Sequence, residues 1–357
     1  MRLTRLRQKL ADEGLDAILI TNPANRRYLS GFTGSAGSLI ISQDLAVLAT
    51  DFRYYEQVER QSPQFKLARI KGKFTDLLPA LIGDMEIRRL GFESEDLTFA
   101  LHGRLSEALG GGVEFVATSG IVEGLRAVKD EDELAILRRA IALGDSAYSH
   151  IADFMAPGMT EQQVAWELES FMRTHGAERV AFEIIVAAGP NGAMPHAHTT
   201  DHAIQVGEPV VMDLGAVIEG YHSDLTRTVA LGEADGRYRE VYEIVLRAQR
   251  LALQGIRPGM TGQEADAIAR EAIAEAGHGD AFGHGLGHGV GLVIHEKPSV
   301  GRLSDKDVLQ PGMVFSVEPG IYLPGEFGVR IEDVAVLRED GLEVLSQAAK
   351  EPVLARA

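Results

Sequence analysis

Two stretches of this chain repeat the same text in the same order, and that repetition constrains the fold more than any other feature of the sequence. Pro157–Thr160 and Pro258–Thr261 both read Pro-Gly-Met-Thr. Each leads into an amphipathic run, EQQVAWELESFMRTHGAE after the first and GQEADAIAREAIAEAG after the second, with a threonine placed to cap a helix. Further on, Gly207–Asp213 (GEPVVMD) matches Gly312–Glu318 (GMVFSVE), each an apolar strand run ending on a carboxylate. One such tetrapeptide is only a turn-and-cap signal. Matched features in order predict two helix-plus-strand units about a pseudo-twofold axis, with the two carboxylates brought to one central site.

Acids also stand where strands should be apolar: Asp213 in PVVMDLGAVI, Asp224 in YHSDLTRTVAL, Glu318 in MVFSVEPGIY and Glu332 in FGVRIEDVAVL. Carboxylates in such runs are expected to be partly buried, and four of them cannot stay ionised together without cations. Arg227 and Arg330 could neutralise some of this charge as ion pairs, but not all of it. Two divalent ions would balance four carboxylates, with a histidine completing the set. Eight of the eleven histidines fall between His196 and His295, and His288 in GHGLGHGVGLVIHE is the candidate ligand, its glycines expected to let backbone approach an ion.

Composition narrows the partners. With no cysteine, disulfides, thiolate catalysis and thiolate metal sites are all excluded, so any metal sits on oxygen and nitrogen. A net charge of −17 argues against nucleic acid and anionic membrane surfaces. No apolar run approaches membrane-spanning length, and the first residues lack the apolar core of a signal peptide, so a cytoplasmic location is expected.

At 357 residues the chain is long enough for two domains. The first part mixes helical and strand patterns, with Leu3, Leu6 and Leu10 at helical spacing, then AILIT, NRRYLSGFTGSAGSLIIS and LAVLATDFRYYEQ. A long amphipathic helix with Leu134, Leu137 and Ile141 on one face follows. The expected domains are therefore residues 1–125, small and α/β, and residues 126–357, carrying the repeat and the histidines.

The set of motifs resembles the pita-bread metallopeptidases, a family that includes methionine aminopeptidase, aminopeptidase P, prolidase and creatinase. The resemblance covers nearly the whole chain and implies an α/β (α+β) fold, a pita-bread catalytic domain preceded by a creatinase-like domain. It further implies that Asp213, Asp224, His288, Glu318 and Glu332 are the metal ligands. Asp224 and Glu332 would bridge two ions, Asp213 would chelate one, and His288 and Glu318 would complete the other. A water between two divalent ions loses its proton near neutral pH and attacks the scissile carbonyl, with Glu318 as proton shuttle. By the same resemblance His196, His284 and His295 hydrogen-bond substrate or intermediate, whereas His198, His202, His222 and His278 are read as structural. Arg330 would orient Glu332 or meet a substrate carboxylate, and Tyr322 would line the pocket. An oxygen-rich site with one imidazole suits manganese, with cobalt, zinc or iron as alternatives.

Within the family, the five ligands argue against a creatinase and the N-terminal domain against a methionine aminopeptidase. GFTGSAG and TDFRYYEQ are similar to aminopeptidases P. The expected activity is therefore cleavage of N-terminal residues from Xaa-Pro-Yaa peptides, with a prolidase restricted to Xaa-Pro dipeptides as the alternative. A third reading, of a different class, is a non-catalytic binding module. The resemblance implies a homodimer in which the N-terminal domain reaches across to the partner's active site and forms its wall, with Asp51, Arg53 and Tyr54 the residues to watch.

Overall fold

In the computed structural model, which describes residues 1–354, the chain divides into a compact unit from Met1 to Arg126 and a second beginning at Ala127. Residues 355–357 of the expected catalytic domain lie outside the described residues.

The first unit is built on a six-stranded sheet ordered Lys66–Arg69, Ala46–Thr50, Ser38–Ser42, Ala17–Ile20, Arg89–Glu93, Glu114–Thr118. Ala17–Ile20 is buried at all four positions, as a strand with both faces covered must be. Helix Arg2–Asp12 turns Leu6 and Leu10 inward, and each such burial contributes roughly 1.5–3 kcal/mol. Asn22 caps helix Pro23–Ser30 by accepting the Ala24 and Asn25 N–H groups, and Gly31 ends it at φ 76°, where a side chain would be strained.

The second unit opens with helix Glu131–Phe154, started by a reciprocal Asp130–Glu133 capping box and burying Leu134, Leu137 and Ile141. Beyond it lie two like halves. The first half packs helix Glu161–Thr174 on a sheet ordered Val353–Leu354, Leu225–Leu231, Pro209–Leu214, Ile185–Ala188. The second packs helices Gly236–Gly255 and Gly262–Glu275 on Glu296–Val300, Gly287–Gly289, Val314–Val317, Asp333–Arg338, Gly341–Val344. Each half has its own core. Val164, Leu168, Met212 and Val229 belong to the first, and Val245, Ala269, Phe315 and Val317 to the second.

The repeat extends to single hydrogen bonds. Thr160 and Thr261 cap their helices with capping boxes to Gln163 and Glu264. Gly158 N–H donates to Ile204 O and Gly259 N–H to Leu309 O, while isolated bridges join Thr160 to Ala203 and Thr261 to Val308. Such matching sets the strands that follow at equivalent places, so the carboxylates at their ends converge. None of the described helices is long and apolar enough to cross a membrane.

Candidate metal centre

Asp213 lies near the end of strand Pro209–Leu214, while Asp224 directly precedes strand Leu225–Leu231. Glu318 follows Val314–Val317, and Glu332 directly precedes Asp333–Arg338. All four carboxylates line one cavity of about 520 Å³, with His288 from strand Gly287–Gly289. One oxygen each of Asp213, Asp224 and Glu332 lie within 4.8 Å of one another. On the other side, His288 Nε2 stands 3.2 Å from Glu318 Oε1 and 3.6 Å from Asp224 Oδ2. Asp224 therefore belongs to both groups, one all carboxylate and one containing the imidazole.

Burial and mutual repulsion dominate the electrostatics. Burial, then the neighbouring Glu332 and Asp213, push the Asp224 carboxyl well above its ordinary range, and burial with Glu318 and Asp213 does the same to Glu332. Burial also raises Asp213, although Arg330 opposes it. Glu318 goes the other way. Burial pushes it up, but its hydrogen bond to His288 and the positive groups around it outweigh this and bring it to about 2. His288 is drawn down by burial and carried above its usual value by Glu318.

Two buried carboxylate oxygens, Asp213 Oδ1 and Glu332 Oε1, have no hydrogen-bond partner. A buried anionic oxygen left bare is costly, and a hard cation is the partner that fits. The donor set of carboxylates and one imidazole thus fits divalent metal on chemistry as well as on geometry.

Arg330 is not the partner of Glu332 that its place two residues earlier suggests. Its Nη2 donates to Asp213 Oδ2 at 2.7 Å, its Nη1 to Tyr322 Oη at 2.8 Å and Pro195 O at 3.1 Å, and its Nε to Thr226 Oγ1 at 3.0 Å. Thr226 Oγ1 in turn donates to Glu332 Oε2 at 2.7 Å, so the arginine reaches Glu332 only through the threonine. Arg227 turns away to a buried pair with Asp333. Tyr322, expected at the pocket wall, is instead buried behind it. Because its hydroxyl accepts from Arg330, its own proton points to His284 Nε2, 3.0 Å away. His284 Nδ1–H then donates to Gly285 O at 2.8 Å. Both ring nitrogens of His284 thus have partners within the protein, and its ring lines the cavity.

The family model for Metallopeptidase family M24 matches residues 135–339, and one for the Creatinase/Prolidase N-terminal domain matches residues 2–128. This chain belongs to metallopeptidase family M24. It is 44% identical to the solved Xaa-Pro dipeptidase from Bacillus anthracis, with a TM-score of 0.96 over 99% of this chain and 98% of that one. It is 40% identical to the solved X-Pro aminopeptidase from Thermotoga maritima, with a TM-score of 0.91 over 99% and 100%. The Xaa-Pro dipeptidase of Pyrococcus furiosus is 38% identical over 98% of this chain and 99% of its own. The pita-bread catalytic fold with a creatinase-like domain before it is the fold of this M24 chain.

In this M24 site His196 and His295 line the cavity with His284, and the His295 ring stands 4.2 Å from that of His288, edge to face. His198, read from the sequence as structural, lines the cavity as well, and nothing in MPHAH separates it from His196. His222 is buried with Nδ1 against Gly291 O, and His202 pairs with Glu208. The glycines around His288 serve strand packing: a Cβ at Gly287 would sit 1.9 Å from Ser316 O and one at Gly289 2.1 Å from Lys297 O. They admit neighbouring backbone, not an ion. Thr226 and Ser316, whose hydroxyl lies 3.0 Å from Glu318 Oε1, are site residues that sequence reasoning missed. Each is two residues from a carboxylate in or beside a strand, so the period of two was the available signal. Asp51 and Arg53 in the first unit form an exposed pair with each other at 2.8 Å, Asp51 capping a short turn, and Tyr54 meets Ser35.

Proposed function

We propose that this chain hydrolyses Xaa-Pro dipeptides with two divalent ions, manganese first among them. The observation that carries metal-dependent hydrolysis is the pair of bare, buried oxygens on Asp213 and Glu332 facing three further donors. Asp213, Asp224 and Glu332 would hold one ion; His288, Glu318 and the shared Asp224, with Glu332 as second bridge, would hold the other. When bound, the ions would lower the pKa of a nucleophilic water and polarise the scissile carbonyl.

The residues of the chain do the rest. Glu318, held as the carboxylate by its hydrogen bond to His288, would accept the proton that the attacking water must lose. Phe182, Ile185, Ile294 and Val300 give the cavity an apolar wall suited to a pyrrolidine ring, where a proline brings no N–H to be left unpaired. His196 and His295 stand where substrate oxygens would be met.

The dipeptide preference reverses the expectation from sequence. Its support is the likeness, over almost the full length, to two proteins called Xaa-Pro dipeptidases. The TDFRYYEQ text that favoured longer peptides has a local account, because Asp51 and Arg53 satisfy each other. One observation favours longer substrates: Arg330, the arginine at the cavity, is committed to Asp213 and Tyr322 and is not free for a proline carboxylate. Hydrolysis of Xaa-Pro against Xaa-Pro-Yaa by manganese-loaded enzyme decides. Faster cleavage of the dipeptide is expected, and cleavage of the tripeptide alone overturns the proposal. A homodimer, carried by the family resemblance, belongs to the same proposal and is tested by sedimentation velocity.

A further inference from the structure

We infer that Glu161 is a positioning residue for the histidines at the cavity rim, acting through the loop of residues 189–199. Glu161 is the first residue of its helix, and it is fully buried. Its Oε1 accepts Ala188 N–H at 2.7 Å, where the strand before the loop ends. Its Oε2 accepts both the N–H and the hydroxyl of Thr200 at 2.7 Å, where the loop returns. Asn191 Nδ2 donates to both oxygens, at 3.1 and 2.9 Å, and also to His198 O at 3.0 Å. One carboxylate therefore closes both ends of the loop and grips a side chain within it. Between those ends lie Pro195, His196 and His198, all lining the cavity, and Pro195 O also receives Arg330.

The donors that meet Glu161 are N–H and O–H groups, so the carboxylate fixes directions as well as place. Its glutamine equivalent turns one acceptor oxygen into an NH₂ group that faces existing donors and opens the staple. A loop end freed in this way lets the imidazoles drift from their place, and displacement by about 1 Å at a catalytic site costs on the order of a hundredfold in rate. Metal binding should not follow, since none of the five proposed ligands lies in the loop.

The inference rests on the proposed hydrolysis for its kinetic arm only. The test compares wild type, Glu161→Gln, His196→Ala and the double variant in manganese content, kcat and KM on an Xaa-Pro dipeptide, and amide exchange across 188–200. Glu161→Gln is expected to keep its manganese, lose protection in the loop and lose about ten- to hundredfold in kcat/KM. Added to His196→Ala it should cost less than about threefold more, because the histidine it positions is already gone. Full additivity, or unchanged protection of the loop, would overturn the assignment. Thr200→Val, which removes one donor and leaves the carboxylate, must show the same pattern in milder form, and it decides the matter where Glu161→Gln does not fold. If wild type cleaves no Xaa-Pro peptide, the functional proposal fails while loop exchange still judges Glu161.

Discussion

In the first half of the catalytic unit the residue after the helix cap is Glu161, whose buried carboxylate gathers the loop of residues 189–199; in the second half it is Gly262, with no side chain at all. A Cβ at Gly262 would sit 2.1 Å from Ser299 O, so the strand comes in where the first half keeps a carboxylate. The gathering falls instead to Asp266 and Arg270, one and two turns further along the helix. Asp266 accepts Leu286 N–H, and Arg270 donates to Phe282 O and His284 O. Two halves with matching caps and backbone bridges thus hold their cavity loops by different charged groups. The repeat governs where strands end, and side chains at the unmatched positions govern what stands at the rim.

The largest effect is expected where the halves do match. Asp224 and Glu332 each stand directly before a strand, one in each half. If both bridge the ions, Asp224→Ala and Glu332→Ala should each lose bound manganese and at least about a thousandfold in kcat/KM. Metal analysis beside kinetics checks this. A variant that retains both ions and turns over breaks the equivalence.

Smaller, and confined to the second half, is the difference among its histidines. His288→Ala should weaken one ion, whereas His295→Ala and His284→Ala should keep both and lose about ten- to hundredfold in kcat. Because His284 is held by Tyr322, Tyr322→Phe should reproduce part of the His284→Ala loss. Lost metal in His295→Ala would move the ligand assignment along the chain.

The duplication and the clustered acids were legible because both are local text. Pro-Gly-Met-Thr announces a cap, and an acid in an apolar strand announces its own burial cost. What escaped depends on partners distant in sequence. Arg330 and Glu332 are two residues apart, yet the arginine spans the site to Asp213, 117 positions away. Tyr322 looked like a pocket residue because it follows VEPGI, whereas its hydroxyl is sandwiched between Arg330 and His284. Glycines near His288 signalled close approach, but not of what. The Glu161 staple gave no signal, since an acid at the start of a helix is explained by the helix dipole alone.

Stability sharpens the comparison further. Gly262→Ala drives a methyl into Ser299 O and should destabilise by about 1–3 kcal/mol. The caps should answer alike: Thr160→Ala and Thr261→Ala each cost about 1 kcal/mol, since each threonine accepts the N–H three residues on. Thermal unfolding checks both. Unequal cap losses would mean that the halves differ in more than their loop-holding groups.

The smallest effect separates the halves by pH. Glu161 N–H donates to His202 O in the first half, and Gly262 N–H donates to Asp307 O in the second, so a titrating imidazole stands where the other half has a carboxylate. The hydrogen bond that His202 donates to Glu208, opposed by slight desolvation and helped by the carboxylate's charge, raises the His202 pKa above its ordinary value. A histidine whose pKa is higher folded than unfolded binds its proton more tightly in the native state. Its stabilisation is therefore fully present below the unfolded value and is lost as pH rises through the folded one. The His202 side chain is 43% exposed, so screening keeps the effect small. Compared with wild type, His202→Asn should lower the melting temperature slightly at pH 6, and the difference should fade as pH rises past neutrality. The second half supplies the control: Asp307→Asn should shift the melting temperature by the same amount at pH 6 and pH 8. A His202→Asn difference that grows with pH would mean that the imidazole is neutral in the folded protein and that Glu208 holds it as an acceptor's partner only.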